Sequence, residues 1–275
     1  MRPIPSGPKY DLGMQTRFTV TPELTAELFD KTILLRRDSP APKGGTYGWL
    51  TEGTEITLFN DVVIEQNVGL YGGAYMPMIG GRRASGLASV GAFTYSYSGL
   101  PDGASVGRYC SISGGLRFID SSHPLELLTT SALTFRPANH LFREFVTDAL
   151  TEHAAGYSTT PDKPYPRIGN DVWIGSNVTL AMGIEVGTGA VVATNSTVTR
   201  DVPPYAIVGG NPAQVIKYRF DEATIDRLLG SHWWSYDPRQ VFHSLGTDFT
   251  VLLEAIDAGD LTPYQFAQVI LPASP

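Results

Sequence analysis

IGNDVW IGSNVT LAMGIE VGTGAV VATNST VTRDVP, residues 168–203, is a six-residue unit repeated six times without a slip. An aliphatic side chain opens every unit (Ile168, Ile174, Leu180, Val186, Val192, Val198). A small or branched one follows four places later (Val172, Val178, Ile184, Ala190, Ser196, Val202). A period of six is neither the helical repeat nor the bare alternation of a strand. It suits a solenoid whose coil is a triangular prism, each hexapeptide laying down one flat face and turning two side chains inward. Three faces close a coil, so the stretch supplies two coils and predicts a mainly β, parallel β-helix fold.

The register continues upstream. LPDGAS from Leu100, VGRYCS from Val106 and ISGGLR from Ile112 form a further coil, and FIDSSH from Phe118 reads as the next face. Cys110 takes the inward fifth place of its unit, where a packed thiol is expected, and no cation beside it would lower its pKa. Farther back, units opened by Ile56, Val62, Val68 and Val90 fit loosely and predict irregular early coils. Between His123 and Arg167 the repeat vanishes for more than forty residues and then returns in full. Such an excursion reads as a loop inserted at one edge of the solenoid, a common place for a binding face. Thr21-Pro22 followed by 23–36 predicts a helix capped by Thr21, with Pro22 at its first position. After Asn211-Pro212, the stretch from Phe220 to Leu229 has a helical period, with Asp221 to cap it and Gly230 to end it. Asp248 to Ala258 and Pro263 to Ile270 also read as helical. The expected organisation is an N-terminal extension (1–53), a coil domain (54–218) with an insertion at 124–167, and an α-helical tail (219–275).

Composition agrees with tight turns and short strands: 29 glycines and 20 prolines in 275 residues, with 17% charged. A net charge of −7 without a Lys/Arg run argues against a nucleic-acid surface. One cysteine excludes an internal disulfide framework. The opening MRPIPSGPKYDLG has no signal-like apolar stretch, and no window approaches a membrane span, so a cytoplasmic protein is expected.

The run from Ile168 to Phe220 resembles the hexapeptide-repeat acyltransferases, and within them the xenobiotic branch of chloramphenicol and streptogramin acetyltransferases. Four features carry the resemblance: the DVWIG face, the GNPA exit at 210–213, Arg219-Phe220 with Leu228-Leu229 and Trp233-Trp234 downstream, and the loop SSHPLELLTTSALTF at 121–135. The resemblance implies a left-handed parallel β-helix and a homotrimer with active sites shared between subunits. It also implies acetyl-CoA as acyl donor, lying in the groove between two prisms, with no metal.

Moving an acetyl group from a thioester to a hydroxyl needs a base for the acceptor proton. The chain has five histidines, none within the regular coils: His123, His140, His153, His232 and His243. His123 opens the insertion in a His-Pro context and matches the family's catalytic histidine. Its Nδ1 needs an orienting partner; Glu126 is the candidate carried forward, beside Asp120 or a backbone carbonyl. His140 and His153 share the loop without the motif, and His232 reads as part of tail packing. The residues matching family positions for acetyl-CoA are Trp173 and Ser176, Ala193 and Thr194, then Thr199, Arg200 and Lys217. Gln214 departs from the family, which often has a basic residue there. Trp173 reads equally as trimer packing.

Two other readings share the solenoid. A γ-class carbonic anhydrase needs three histidine ligands around zinc, and 168–216 holds no histidine. A non-catalytic hexapeptide scaffold would have no use for the His123 loop. Within the acyltransferase reading, the expected acceptor is a hydroxyl of a small molecule or of a sugar or glycan, towards which the enlarged N-terminal region leans. An antibiotic hydroxyl is the alternative.

Overall fold

The computed structural model describes residues 16–37, 41–76, 85–157, 163–243 and 249–271. The six units yield six short strands: Arg167–Ile168, Trp173–Ile174, Thr179–Ala181, Glu185–Val186, Val191–Val192 and Thr197–Val198. Pairing is parallel, Ile168 with Val186, Ile174 with Val192 and Leu180 with Val198. Each partner therefore lies three units farther along, and successive strands enter three sheets in turn. All twelve inward positions are buried, none more than 7% exposed. Withdrawing each large aliphatic side chain from water contributes roughly 1.5–3 kcal/mol, which makes the paired periodicity the main support of the fold. Ser196, the polar member, satisfies its hydroxyl on the Ala193 carbonyl at 2.7 Å.

The stack runs straight across the insertion. Val106 pairs with Ile168, Ile112 with Ile174 and Phe118 with Leu180. The chain thus leaves the third sheet after Arg117–Ile119 and re-enters the first sheet at Arg167–Ile168, so the excursion occupies the corner between those two sheets.

Corners are made by left-handed residues at the fourth place of the units. Asp171, Asn177, Gly183, Gly189 and Asn195 all have φ between 55° and 76°, a region that glycine, asparagine and aspartate enter most readily. At the corner between first and second sheets the column reads Phe93, Tyr109, Asp171, Gly189, Tyr205, and its three aromatic members also have positive φ. Bulky side chains are rare there, and each such strained residue costs about 1–3 kcal/mol. The tail covers this column. Trp233 packs on Tyr109 (ring centroids 4.9 Å), Phe220 on Tyr205 (5.7 Å) and Phe266 on Phe93 (6.1 Å). Arg219 Nη1 donates to Asp171 Oδ2 and to the Gly189 carbonyl, both at 2.8 Å.

Both ends depart in part from expectation. The first helix spans Pro22–Asp30 with Thr21 Oγ1 accepting from Leu24 N, but it stops well short of Arg36. Ile33 and Leu35 are buried at alternate positions, so the chain turns at Thr32 (φ 57°) and Ile33–Leu34 joins the second sheet beside Val68–Leu70. Coil pairing therefore begins before residue 54. In the tail, Asp221 caps the helix Glu222–Ser231, and the left-handed His232, not Gly230, ends it. A helix forms at Thr250–Ala258; Asp248, where it was expected to start, lies outside the described residues. The expected helix from Pro263 to Ile270 is instead irregular chain leading to the strand Gln268–Leu271, antiparallel to Val62–Glu65. Its Val269 and Leu271 are buried while Gln268 and Ile270 are exposed, a period of two that no helix can satisfy.

Candidate functional site

His123 lies just beyond the last strand of the third sheet before the insertion. Asp120 directly follows that strand and is buried at 8% exposure, and only Ser121 and Ser122 separate it from the exposed imidazole. The insertion is short capped pieces: a 3₁₀ turn at Ala132–Thr134, another at His140–Phe142 and a helix at Asp148–Ala154. It folds back on the histidine. His123 Nδ1 lies 2.7 Å from the Thr130 carbonyl oxygen, and the ring stands edge-on to the buried Phe135 with centroids 4.9 Å apart. A carbonyl only accepts, so Nδ1 carries a proton, and in the neutral ring Nε2 is the nitrogen that holds the lone pair. The orienting position sought for Glu126 is thus taken by a backbone group, and Glu126 itself is exposed.

Of the remaining histidines, three make local contacts. His140 Nε2 meets Arg143 Nη1 at 2.8 Å, His153 packs on Tyr157, and His232 Nδ1 meets the Gly230 carbonyl beside Trp234. The side chain of His243 lies outside the described residues. Cys110 is fully buried, donates to the Gly169 carbonyl at 3.1 Å, and has its thiol pushed up to about 12 by burial. It is therefore a thiol at neutral pH and no nucleophile.

The expected acetyl-CoA residues fall into groups on different sheets and corners of the stack. Trp173, 57% exposed, shares an outward row of the second sheet with Val191, Ile207 and Lys217, which the ladder brings into register. Ser176, Ala193 and Thr194 lie where the chain passes from the second sheet to the third. Thr194 sits so close beneath Gly175 that a Cβ there would meet its backbone nitrogen at 2.7 Å. Thr199 and Arg200, both exposed, follow Thr197–Val198 at the corner between the third and first sheets, the same edge from which the His123 loop departs. A single chain therefore presents the Trp173–Lys217 row and the His123 edge on separate faces.

Two residues invisible to local reading stand behind His123. The Tyr75 hydroxyl donates to Asp120 Oδ2 at 2.5 Å within the core, and Tyr165, at the far end of the insertion, packs edge-on against Tyr75 and Phe118. Burial, then the Asp120 carboxylate, pushes both phenols well above their usual range. Two open grooves of about 410 and 630 Å³ flank Arg108 on the first sheet, away from the insertion's edge. There Arg108 is bound by both oxygens of Glu65 at 2.7 Å and lies over the Phe266 ring, a contact that fastens the tail.

Residues 167–200 match the family model described as the hexapeptide repeat of succinyl-transferase. The chain is 36% identical over 153 residues to a probable macrolide acetyltransferase of Lysinibacillus sphaericus, a match covering 55% of this chain and 79% of that protein. It is 44% identical over 135 residues to a chloramphenicol acetyltransferase of Agrobacterium fabrum (48% and 59% covered). It is 36% identical over 153 residues to a virginiamycin A acetyltransferase of Staphylococcus aureus (55% and 65% covered). The last two matches thus span less than two thirds of those relatives. Among solved structures, a hexapeptide-repeat acetyltransferase of Vibrio cholerae complexed with acetyl-coenzyme A aligns at 28% identity and a TM-score of 0.33, covering 48% of this chain and 61% of that one.

Proposed function

The chain belongs to the hexapeptide-repeat acyltransferases, in the branch of the chloramphenicol and streptogramin acetyltransferases, and from that premise we propose that it transfers an acetyl group from acetyl-CoA to a hydroxyl of a small molecule or sugar, with His123 as general base. The observation that carries the proposal is the bond of His123 Nδ1 to the Thr130 carbonyl, which turns Nε2 of an exposed ring towards an acceptor.

His123 Nε2 takes the acceptor proton as that oxygen attacks the thioester carbonyl, and returns it as the CoA thiolate departs. The C–S bond breaks, an ester C–O bond forms, and the imidazole ends as it began. A positioned base of this kind contributes about 10²–10⁴-fold, and holding both substrates together adds the proximity term. Glu126, exposed three residues beyond His123, faces the acceptor's side of the loop in this reading. The acyl donor lies along the second sheet: Trp173 walls it, Ser176, Ala193 and Thr194 meet it through corner backbone, Lys217 meets its phosphates, and Thr199 and Arg200, on the His123 edge, reach it from the neighbouring subunit.

The placement of those groups on two faces supports the rest of the reading. A left-handed coil assembled as a cytoplasmic homotrimer would set the Trp173–Lys217 row of one subunit opposite the His123 edge of the next, and each site would be shared. A second acceptor class has its own support. Leu125 and Leu128, flanking Glu126, are 83% and 102% exposed, and such side chains suit an antibiotic with an apolar body.

The test is thiol release from acetyl-CoA across a panel of sugars and antibiotics, with His123→Ala alongside. Turnover with a hydroxyl acceptor that His123→Ala abolishes is expected; undiminished turnover in that variant would refute the assigned base.

A further inference from the structure

We propose that Asp120 is a positioning residue for the reaction, its buried carboxylate fixing the foot of the insertion so that His123 stays seated on the Thr130 carbonyl. The inference rests on the reading of His123 as base.

The argument begins with a carboxylate where none is needed for the coil. Asp120 holds the third place of its unit, not one of the two inward places of the regular coils, yet it is buried, and a buried carboxyl group needs polar partners. At 8% exposure it lies beside phenols from two distant segments. Tyr75, 6% exposed, donates to its Oδ2. Tyr165 completes an edge-on aromatic triangle with Tyr75 and Phe118 at centroid separations of 5.4–6.1 Å, and the Asp120 carboxylate beside it adds to burial in pushing its phenol up.

The three segments are not arbitrary. Asp120 stands where the chain leaves the third sheet, and Tyr165 stands two residues before it re-enters the first at Arg167. The carboxylate therefore ties together the two ends of the insertion, while Tyr75 anchors both to the early coils. From Asp120 to His123 is a three-residue arm, at most about 11 Å of chain. Any rotation of its root displaces the imidazole, and a misplacement of about 1 Å in a reacting group can cost on the order of 10²-fold. A carboxylate fixes this root better than an amide because either of its oxygens can accept from the Tyr75 hydroxyl. An asparagine would offer one accepting oxygen and turn an NH₂ towards a phenol.

The test uses the full chain carrying Asp120→Asn or the gentler Tyr75→Phe, which deletes one hydroxyl and leaves the ring packing. Long-range ¹H–¹⁵N NMR reads the His123 tautomer without any acceptor, its signal assigned by loss in His123→Gln. The wild type should show the Nδ1–H tautomer, and both variants a mixture. In thiol release with whichever panel acceptor turns over, kcat should fall about tenfold with KM for acetyl-CoA within about twofold, in protein that still melts cooperatively. A wild-type tautomer and wild-type kcat in folded Tyr75→Phe would overturn the proposal. So would a loss confined to thermal stability in both variants. If His123→Ala keeps full activity, the base assignment fails instead, whereas a dead His123→Ala beside an unaffected Tyr75→Phe sinks the positioning role alone.

Discussion

The Nδ1 atom of His123 sits 2.7 Å from the carbonyl oxygen of Thr130, seven residues downstream, so the insertion orients its own first ring. No charge is involved, and the imidazole needs no carboxylate partner to hold its tautomer. His123→Ala should therefore lower kcat by about 10²–10⁴-fold, while Glu126→Gln should leave it within about twofold. Steady-state thiol release on both variants checks this, and a large kcat loss in Glu126→Gln would return the orienting or proton-handling role to that carboxylate.

Gly175 and Thr194 stack one coil apart at the corner assigned to the acyl donor. A methyl at Gly175 would press on the Thr194 backbone nitrogen and Oγ1, at 2.7 and 2.8 Å. Backbone on both sides leaves nothing flexible to give. Overpacking of this kind costs about 1–3 kcal/mol, so Gly175→Ala should melt several degrees lower. It should also raise KM for acetyl-CoA, because Thr194 is displaced. Calorimetry with parallel kinetics separates the effects; an unchanged KM would remove this corner from the donor site.

Asp102 gives a pH signature. It is 6% exposed and accepts from the backbone nitrogens of Phe59 and Asn60, yet burial dominates and holds its carboxyl above the usual 3.8. A raised folded value means that the native state binds the proton more tightly than the unfolded chain. Its contribution to stability is then present in full below pH 3.8 and is lost as pH rises through the folded value. Asp102→Asn keeps an accepting oxygen but cannot titrate. The difference in Tm, variant minus wild type, should increase with pH across that window and be flat above it. A difference that falls with rising pH would show the backbone hydrogen bonds outweighing burial.

Among the described residues, one ion pair inside an aromatic stripe joins the tail to the coils. Arg219 reaches Asp171 and the Gly189 carbonyl while its guanidinium lies 5.2 and 5.4 Å from the rings of Tyr205 and Phe220. Removing one partner of a partly buried pair strands the other, so Arg219→Ala should destabilise by more than the ~1 kcal/mol of an exposed bridge. Hydrogen exchange should show the loss concentrated in Glu222–Ser231. Uniform loss across the coils would make the tail and the prism one cooperative unit.

How much of this was legible follows from the range of each interaction. The coils were open to reading because every inward side chain recurs at a fixed step, and the ladder obeys the same step. The left-handed corners carried a second signal at the fourth place, Asp171, Asn177, Gly183, Gly189 and Asn195, which sharpens the first. The strand at 268–271 was not legible: VIL is a short apolar run that periodicity alone cannot assign, and its partner, Val62–Glu65, is some two hundred residues away. Ile33 and Leu35 are illegible for the same reason, since two inward side chains make no period. At the site, His123 announced itself by its place at the break in the repeat. Thr130 could not, because a carbonyl has no residue identity, and Tyr75 and Tyr165 meet Asp120 only once the chain is folded.

Trp173 and Lys217 provide the last test. They share one outward row of the second sheet with Val191 and Ile207 between them, three strand spacings or about 14 Å apart. If the row carries the acyl donor, Lys217 meets a phosphate at an exposed position, where an ion pair contributes no more than about 1 kcal/mol. Lys217→Ala should then raise KM for acetyl-CoA by about two- to fivefold and leave kcat unchanged. Trp173→Ala should raise the same KM while sedimentation stays that of the wild type. Dissociation of Trp173→Ala into smaller species, with KM retained in the residual assembly, would instead make the indole a subunit contact and shift the donor's path to the neighbouring corner of Ser176 and Thr194.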